Sequence, residues 1–373
     1  MNIESLELKN FRNYGELHMD FSPGTNLLYG DNAQGKTNIL EAIYVCATTR
    51  SHRGSKDREV IEFGTDEAHI RCTVNKNKTS YRIDMHLKKD RPKGIAVNGV
   101  PIRKASELFG TVNVVLFSPE DLNIIKNGPS DRRRFMDMEL CQLNRLYVHS
   151  LVSYNRVLMQ RNRLLKDIDF HPELKETLDV WDMQLVQYGS ELIRFREDFI
   201  QKLNPVIGKI HSDLSGGRES LRLVYEKNTE VKDFENAVRK SRGSDLRQKM
   251  TLTGPHRDDI GFYVKNSDGE KEMDIRKYGS QGQQRTAALA LKLSEIELVK
   301  QLLKENPVLL LDDVLSELDT GRQIHLLSAI KDIQTIMTCT GMEDLVSRDF
   351  KIDRKFEVKN GTAVLRKSKE DSE

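Results

Sequence analysis

The chain has 373 residues, of which 31% are charged and 38% hydrophobic, and a formal net charge of only +2. That near-neutral balance excludes any argument for nucleic-acid binding from bulk charge, so such a role must rest on local patches. Four scattered cysteines (Cys46, Cys72, Cys141, Cys339) with no C-x-x-C pair exclude a disulfide framework and a cysteine zinc site, and fit a reducing compartment. No run of ~18 apolar residues is present to span a bilayer. Residues 1–7 lack a signal-peptide pattern, so a cytoplasmic protein with no membrane partner is expected.

Residues 3–8 and 15–21 alternate like strands. Thr25-Asn26-Leu27-Leu28-Tyr29 is a third strand, and it leads into Gly30-Asp31-Asn32-Ala33-Gln34-Gly35-Lys36-Thr37. This run fits the G-x-x-x-x-G-K-[ST] phosphate loop, and the helix-like Asn38-Ile39-Leu40-Glu41-Ala42-Ile43-Tyr44 follows it. Glycines let the backbone curl around phosphates, and the new helix presents free N–H groups to them. Lys36 is expected to reach the β- and γ-phosphates of ATP, and Thr37 to hold Mg²⁺. The whole of Gly30, Asp31, Asn32, Ala33, Gln34, Gly35, Lys36, Thr37 and Asn38 is thus a candidate ATP site. Strand-like runs at 68–75 and 79–87 flank a polar turn, and Asn98-Gly99 marks a further hairpin.

From about 120 to 250 the pattern turns helical, with segments at 135–143, 144–166 and 175–204, the last expected to stop before Pro205. The heptad is not sustained, so this reads as a helical arm rather than a long coiled coil. After about 260 comes Tyr278-Gly279-Ser280-Gln281-Gly282-Gln283-Gln284-Arg285 and a strong helix. The apolar strand Val308-Leu309-Leu310-Leu311 then delivers Asp312 and Asp313, in the Walker B form. Asp312 is expected to bind Mg²⁺. Asp313 stands where ABC-type ATPases carry a glutamate general base, and, being one methylene shorter, implies slow hydrolysis. Ser316-Glu317-Leu318-Asp319 resembles a D-loop, Asn360-Gly361 marks a closing hairpin, and residues 367–373 read as a disordered tail.

Two stretches compete for the ABC signature, Leu-Ser-Gly-Gly-Gln. The closer literal match, Leu214-Ser215-Gly216-Gly217-Arg218-Glu219, precedes a strand-like run and reads as a turn. The role needs a helix N-terminus aimed at a γ-phosphate. Ser280, Gln281, Gly282 and Gln283 meet that need, acting in trans on nucleotide held by a second copy, so an ATP-dependent homodimer is expected. The fold class that follows is α/β: an ABC-type P-loop ATPase head, a mixed sheet with an antiparallel-rich lobe, plus an inserted helical arm. Its expected parts are residues 1–118 and 261–366 for the head, 119–260 for the arm and 367–373 for the tail.

Longer runs carry a more specific likeness. They include Leu8-Lys9-Asn10-Phe11-Arg12-Asn13-Tyr14, Thr49-Arg50-Ser51-His52-Arg53, Phe117-Ser118-Pro119-Glu120-Asp121-Leu122, Gly128-Pro129-Ser130-Asp131-Arg132-Arg133-Arg134 and Thr253-Gly254-Pro255-His256-Arg257-Asp258-Asp259, beside the phosphate loop, signature and Walker B. In these the chain resembles, over nearly its whole length, the RecF family of bacterial recombination mediators, relatives of Rad50 and SMC heads. The resemblance implies a weak DNA-stimulated ATPase that binds single-stranded or gapped DNA and dimerises on ATP. It also implies work with RecR and RecO in recombinational repair, replication and the SOS response. By the same likeness Arg12 is expected near the nucleotide phosphates. Cations at Arg50, His52, Arg53, Arg132, Arg133, Arg134, Arg161 and Arg163 are candidates to neutralise DNA phosphates, although Asp131 and Asp137 flank the triplet as possible ion-pair partners. Two departures stand out. No clear glutamine marks the Mg²⁺-sensing loop, leaving Glu120 or Asp121, and no histidine follows the strand at 334–340, leaving Thr338 or Thr340. His256-Arg257-Asp258-Asp259 reads as structural. The rival functions are the ATPase subunit of an ABC transporter and a non-hydrolysing assembly platform.

Overall fold

The computed structural model describes residues 1–266, 269, 271–340 and 351–366, so the expected tail at 367–373 lies outside the described residues. The chain forms two compact units, Met1–Asp121 with Glu295–Glu373, and Leu122–Ser294.

The first unit holds two six-stranded sheets. One is an antiparallel sheet of β1 (Asn2–Phe11), β2 (Tyr14–Asp20), β4 (Glu67–Lys76), β5 (Thr79–Lys88), β6 (Gly94–Val97) and β7 (Val100–Pro101), in the order β2-β1-β4-β5-β6-β7. Its tight turns form where expected: Asn77-Lys78 and Asn98-Gly99 both hold two successive left-handed residues, the geometry that matches strand twist. The other sheet contains β3 (Thr25–Tyr29), β8 (Val114–Phe117), β12 (Val308–Asp312), β13 (Thr335–Cys339), β14 (Arg354–Lys359) and β15 (Thr362–Arg366), in the order β15-β14-β3-β13-β12-β8. All its pairings are parallel except the β14–β15 hairpin, which turns at Asn360-Gly361. Helix α1 (Lys36–Thr48) is buried nearly all round, and its Ile39, Leu40 and Ile43 join one core with Ile3, Leu6 and Ile70 of the antiparallel sheet and Leu28, Leu310 and Ile336 of the parallel sheet. An apolar helix of this kind belongs inside a core.

The second unit packs α2 (Leu122–Lys126), α3 (Pro129–Leu143), α4 (Arg145–Asp167), α5 (Leu178–Leu214) and α6 (Phe234–Gln248) with a three-stranded sheet. That sheet is β9 (Glu219–Glu226), β10 (Asp259–Asn266) and β11 (Glu272–Asp274), with β10 central and antiparallel to both neighbours. This pairing carries residues 261–294, expected in the head, into the second unit. Helix α7 (Ile275–Tyr278) then precedes α8 (Gln281–Leu303).

Helix α5 also corrects an expectation, because it runs through Pro205 to Leu214 instead of stopping before the proline. The reason is tertiary. Asn204 clasps β9 with its amide, donating to Leu223 O (2.9 Å) and accepting from Leu223 N (2.8 Å), and the helix beyond buries Ile207 and His211. Packing along the strand offsets the hydrogen bond that proline cannot donate.

Buried ion pairs organise this unit. Arg161, a candidate DNA contact on the sequence, is 0% exposed, pairing with Asp182 (2.6 Å) and Asp245 (2.8 Å) and donating to Thr251 Oγ1 (2.8 Å). Arg132, another such candidate, is 4% exposed and holds Asp259 with two hydrogen bonds of 2.5 and 2.9 Å. Neither guanidinium is open to a phosphate. Arg133 is partly buried and donates to Asp258 O (2.6 Å). The expected neighbours of the arginine triplet bond elsewhere: Asp131 accepts from Asn127 (2.7 Å), and Asp137 pairs with Arg196 (2.8 Å). Arg196 also holds Asp258 (3.1 Å), whose carboxylate further accepts from Tyr225 Oη and from Asn228 N. His256 is clasped between Tyr154 Oη (2.7 Å) and Thr251 O (3.0 Å), and burial pushes its pKa down to about 4. The 256–259 run is therefore structural, as the sequence suggests.

Arg161→Ala leaves the buried Asp245 without a cation, while Asp182 keeps Arg242 (2.6 Å), and should destabilise the protein by roughly 3–5 kcal/mol in urea unfolding. Arg163→Ala, at a side chain 78% exposed with one long pair to Asp167, should stay within about 0.5 kcal/mol. The depressed His256 value means that the unfolded chain binds the extra proton first. Its stabilisation should be complete above ~6.5, the ordinary histidine value, and should be lost as pH falls through about 4. The urea midpoint should therefore fall more steeply on acidification for the wild type than for His256→Gln; superimposable profiles would refute a neutral, buried His256.

Candidate nucleotide site

The parallel strands end side by side: Phe117 pairs with Leu311, Asp312 with Thr338, and Cys339 with Tyr29. Ligands of open α/β sheets bind beyond such carboxyl ends. The 30–37 loop leaves β3 there and enters α1. Gly30 (φ +147°) and Gly35 (φ +110°) adopt backbone conformations that L side chains rarely take. They are also crowded. A Cβ on Gly30 would meet Val358 O at 2.3 Å, and one on Gly35 would meet the Asn13 amide at 2.6 Å and Tyr14 Oη at 2.7 Å. The loop is braced from both sides. Asn13 Nδ2 donates to Gln34 O (3.0 Å), and Asn360 N of the C-terminal hairpin donates to Gln34 Oε1 (2.7 Å).

Lys36 Nζ donates into its own loop, to Gly30 O (2.5 Å) and Asp31 O (2.8 Å), and burial lowers its pKa despite the nearby carboxylates. Thr37 Oγ1 donates to Asp312 Oδ1 (2.7 Å), which also accepts from Thr338 Oγ1 (3.0 Å). Thr338 Oγ1 in turn accepts from Asp313 N (2.9 Å). Asp313 sits in the left-handed region (φ +53°). A cleft of about 230 Å³ is lined by residues 32–38 with Arg53, Asp313 and Thr338. Of the two threonines considered for the place of the switch histidine, Thr338 faces this cleft, while Thr340 lies exposed past the strand. Asp121 caps its own turn by accepting from Ser118 N (2.8 Å), and Glu120 is exposed. The donor set fits both groups that the motif implies. An amide-rich loop that ends in a lysine at a helix N-terminus suits a polyphosphate, and a threonine hydroxyl beside a carboxylate suits a hard divalent cation.

Arg12 is placed by an acid that the sequence reading passed over. Glu41, 0% exposed in the middle of α1, receives Arg12 Nε (2.8 Å) and Nη2 (2.7 Å) and Ser51 Oγ (2.5 Å). Burial would raise its pKa, but the Arg12 and Ser51 hydrogen bonds hold it below the ordinary value. A lone acid on an otherwise apolar helix was the available signal. Arg12 also donates to Glu59 O and Ser55 Oγ, so four of the five N–H groups of its guanidinium bond to groups around Glu41. Arg53, grouped on the sequence with the DNA cations, lines the nucleotide cleft and donates to Asn38 Oδ1 (3.1 Å). His52 packs edge-on against Tyr44, and burial takes its pKa down to about 4, so it carries no charge for a phosphate near neutrality. Arg50, Arg134 and Arg163 remain exposed.

The two signature candidates differ in the way the sequence suggests. Ser280 and Gln283 form a reciprocal capping box at the start of α8, with Ser280 N donating to Gln283 Oε1 (2.9 Å) and Gln283 N to Ser280 Oγ (3.2 Å). Ser280, Gln281 and Gly282 are exposed, and a Cβ on Gly282 would meet nothing nearer than 3.9 Å. The start of α8 is therefore open to close approach. Ser215, by contrast, is buried in the turn between α5 and β9, where its hydroxyl accepts from Glu219 N (3.1 Å), and Gly216 and Gly217 supply left-handed backbone. Unexpectedly, the two stretches touch, because Gln283 Nε2 donates to Glu219 Oε1 (2.7 Å).

Residues 2–361 match the model of the RecF/RecN/SMC N-terminal domain. The chain is 60% identical to the DNA replication and repair protein RecF of Lachnospira eligens, over 98% of this chain and 99% of that one. It is 45% identical to the RecF of Clostridium perfringens, over 97% and 99%. Among solved structures, one of the recombination mediator protein RecF with ATP, in the RecFOR pathway, superposes with a TM-score of 0.89 at 35% identity, covering 98% of this chain and 97% of that one. An SMC head domain from Pyrococcus furiosus shares the fold at 19% identity, with a TM-score of 0.58 over 99% and 97% of the two chains. With a phosphate loop beside an acid-bearing strand, a capped helix start at Ser280, and relatives matched from end to end, the chain belongs to the RecF family.

Proposed function

We propose that this chain is an ATP-dependent DNA-binding protein of recombinational repair, replication and the SOS response. It binds single-stranded or gapped DNA, dimerises on ATP, and helps to load the recombinase together with RecR and RecO. The observation that carries this reading is the hydrogen bond from Thr37 to Asp312, which joins the phosphate loop to the acid-bearing strand at one edge of the sheet. The loop amides and Lys36 bind the phosphate chain. Thr37 and Asp312 are positioned to hold Mg²⁺, which supplies charge neutralisation at the phosphates when bound. Asp313 lines the same cleft and accepts a proton from the attacking water. Ser280, Gln281, Gly282 and Gln283 of a second copy cover the outer face of the nucleotide, with the N-terminus of a 23-residue helix behind them. Binding therefore closes two heads and hydrolysis reopens them. Exposed Arg50, Arg134 and Arg163 remain as DNA-backbone contacts, whereas Arg53 belongs with the nucleotide. The short acid Asp313 also favours a second reading, a slow assembly platform in which ATP binding rather than turnover does the work.

Light scattering with ATP, ADP and no nucleotide should give a dimer with ATP alone. Lys36→Met and Ser280→Arg should each abolish it, and Gly216→Asn, in the exposed turn of the rejected signature, should not; the opposite pattern would sink the assignment. Asp313→Asn should keep ATP binding and dimerisation while turnover drops by ~10²-fold or more. Wild-type turnover that gapped DNA leaves unchanged would favour the assembly platform over the clamp.

A further inference from the structure

On the exposed face of the antiparallel sheet, in the first unit, lies a cluster that the nucleotide chemistry does not use. His69 of β4 and His86 of β5 are directly opposed cross-strand partners, and their rings stack with centroids 4.0 Å apart. Glu67 lies two residues before His69 and therefore on the same face of the strand. Each of its carboxylate oxygens addresses one ring: Oε2 is 2.9 Å from His86 Nε2, and Oε1 is 3.8 Å from His69 Nε2. Among the described residues, this is the group whose ligand atoms, one from each of three side chains, all lie within 4.8 Å of one another.

We propose that Glu67, His69 and His86 form a transition-metal site that takes Zn²⁺. Two ligands on a tetrahedral zinc, with bonds of ~2.0–2.1 Å, stand ~3.3 Å apart, and one ligand atom from each of the three residues already lies within 4.8 Å of the others, a gap that small side-chain rotations close. Two imidazoles and one carboxylate are a donor set that zinc accepts and that magnesium, which prefers oxygen, does not. The geometry has a simple origin. An i, i+2 pair on one strand and the residue opposite the second member converge on one point above a sheet. Access is open, because both histidines line a recess of about 800 Å³ in the surface of the sheet, together with His18, Lys9 and Arg71. Two cations compete for the site. Lys88 Nζ lies 3.2 Å from Glu67 Oε2, and Lys9 pairs across from His69. Zinc therefore displaces Lys88 from the carboxylate, and binding ties β4 to β5 at a point remote in function from the phosphate loop.

The test is titration of the EDTA-stripped full chain with ZnCl₂ alone, without nucleotide and with excess Mg²⁺ present, by calorimetry. Co²⁺ in place of zinc reports coordination through its visible absorption. The expected result is one zinc per chain, with a rise in thermal midpoint on zinc addition. His86→Ala and Glu67→Gln should each weaken binding by at least about tenfold, and Lys88→Ala should not weaken it. Far-ultraviolet circular dichroism and the metal-free midpoint of each variant report whether it folds. No zinc uptake by the folded wild type at hundred-micromolar metal would overturn the proposal, and so would uptake that persists unchanged in a folded His69→Ala/His86→Ala double variant.

Discussion

The first unit depends on one short contact, the 2.7 Å hydrogen bond between Thr37 and Asp312. For those side chains to meet, the strand before the phosphate loop and the strand that ends in the acid must run parallel in one sheet. They must also be one strand apart, with β13 between them. That intervening strand then contributes Thr338, whose hydroxyl links the carboxylate of Asp312 to the backbone N–H of Asp313. Three strands thus deliver one hydrogen-bonded row to the mouth of the loop. The buried helix α1 fixes the depth at which the loop sits, because its apolar faces are gripped by both sheets.

Charge in this protein serves two different ends, and burial separates them. Arg161, Arg132 and Arg196 are cations of the interior, each matched to buried or half-buried aspartates. Replacing one partner leaves an uncompensated charge, so these networks specify how the helices and the three-stranded sheet must meet. Arg12 and Ser51 play a related part around Glu41, where a buried acid on the nucleotide-bearing helix gathers groups from the loops that surround it. Exposed cations such as Arg50 and Arg163 are of the other kind, lying at the surface and costing little when absent.

Much of this was legible in the residues. The phosphate loop, the acid-bearing strand, the hairpins at Asn98-Gly99 and Asn360-Gly361, the helix that starts after Ser280 and the turn at Ser215 all rest on local chemistry, and local chemistry is what a sequence displays. The arginines were not legible, because their partners are distant in the chain: Arg132 pairs with Asp259, 127 positions away, rather than with the flanking Asp131. His52 looked like a cation because its burial against Tyr44 is a tertiary fact. Pro205 looked like a terminator because the clasp between Asn204 and Leu223 cannot be read from the helix alone. Arg53 was grouped with the DNA cations, yet it lines the cleft at the phosphate loop, since composition does not say which way a loop turns.

The bracing of the loop by Asn360 has a consequence for how the protein is made. Strand β3 lies between β13 and β14, so the segment that carries the loop has no strand neighbours until more than 300 further residues have been added. Gln34 waits as long for the backbone N–H of Asn360, 326 positions downstream. The antiparallel sheet, whose strands all lie between Asn2 and Pro101, can form while the chain is still emerging, but the parallel sheet closes only at the end. A growing chain therefore carries its complete phosphate-loop motif long before it has a site, and competence for nucleotide arrives as a late, all-or-none event of synthesis.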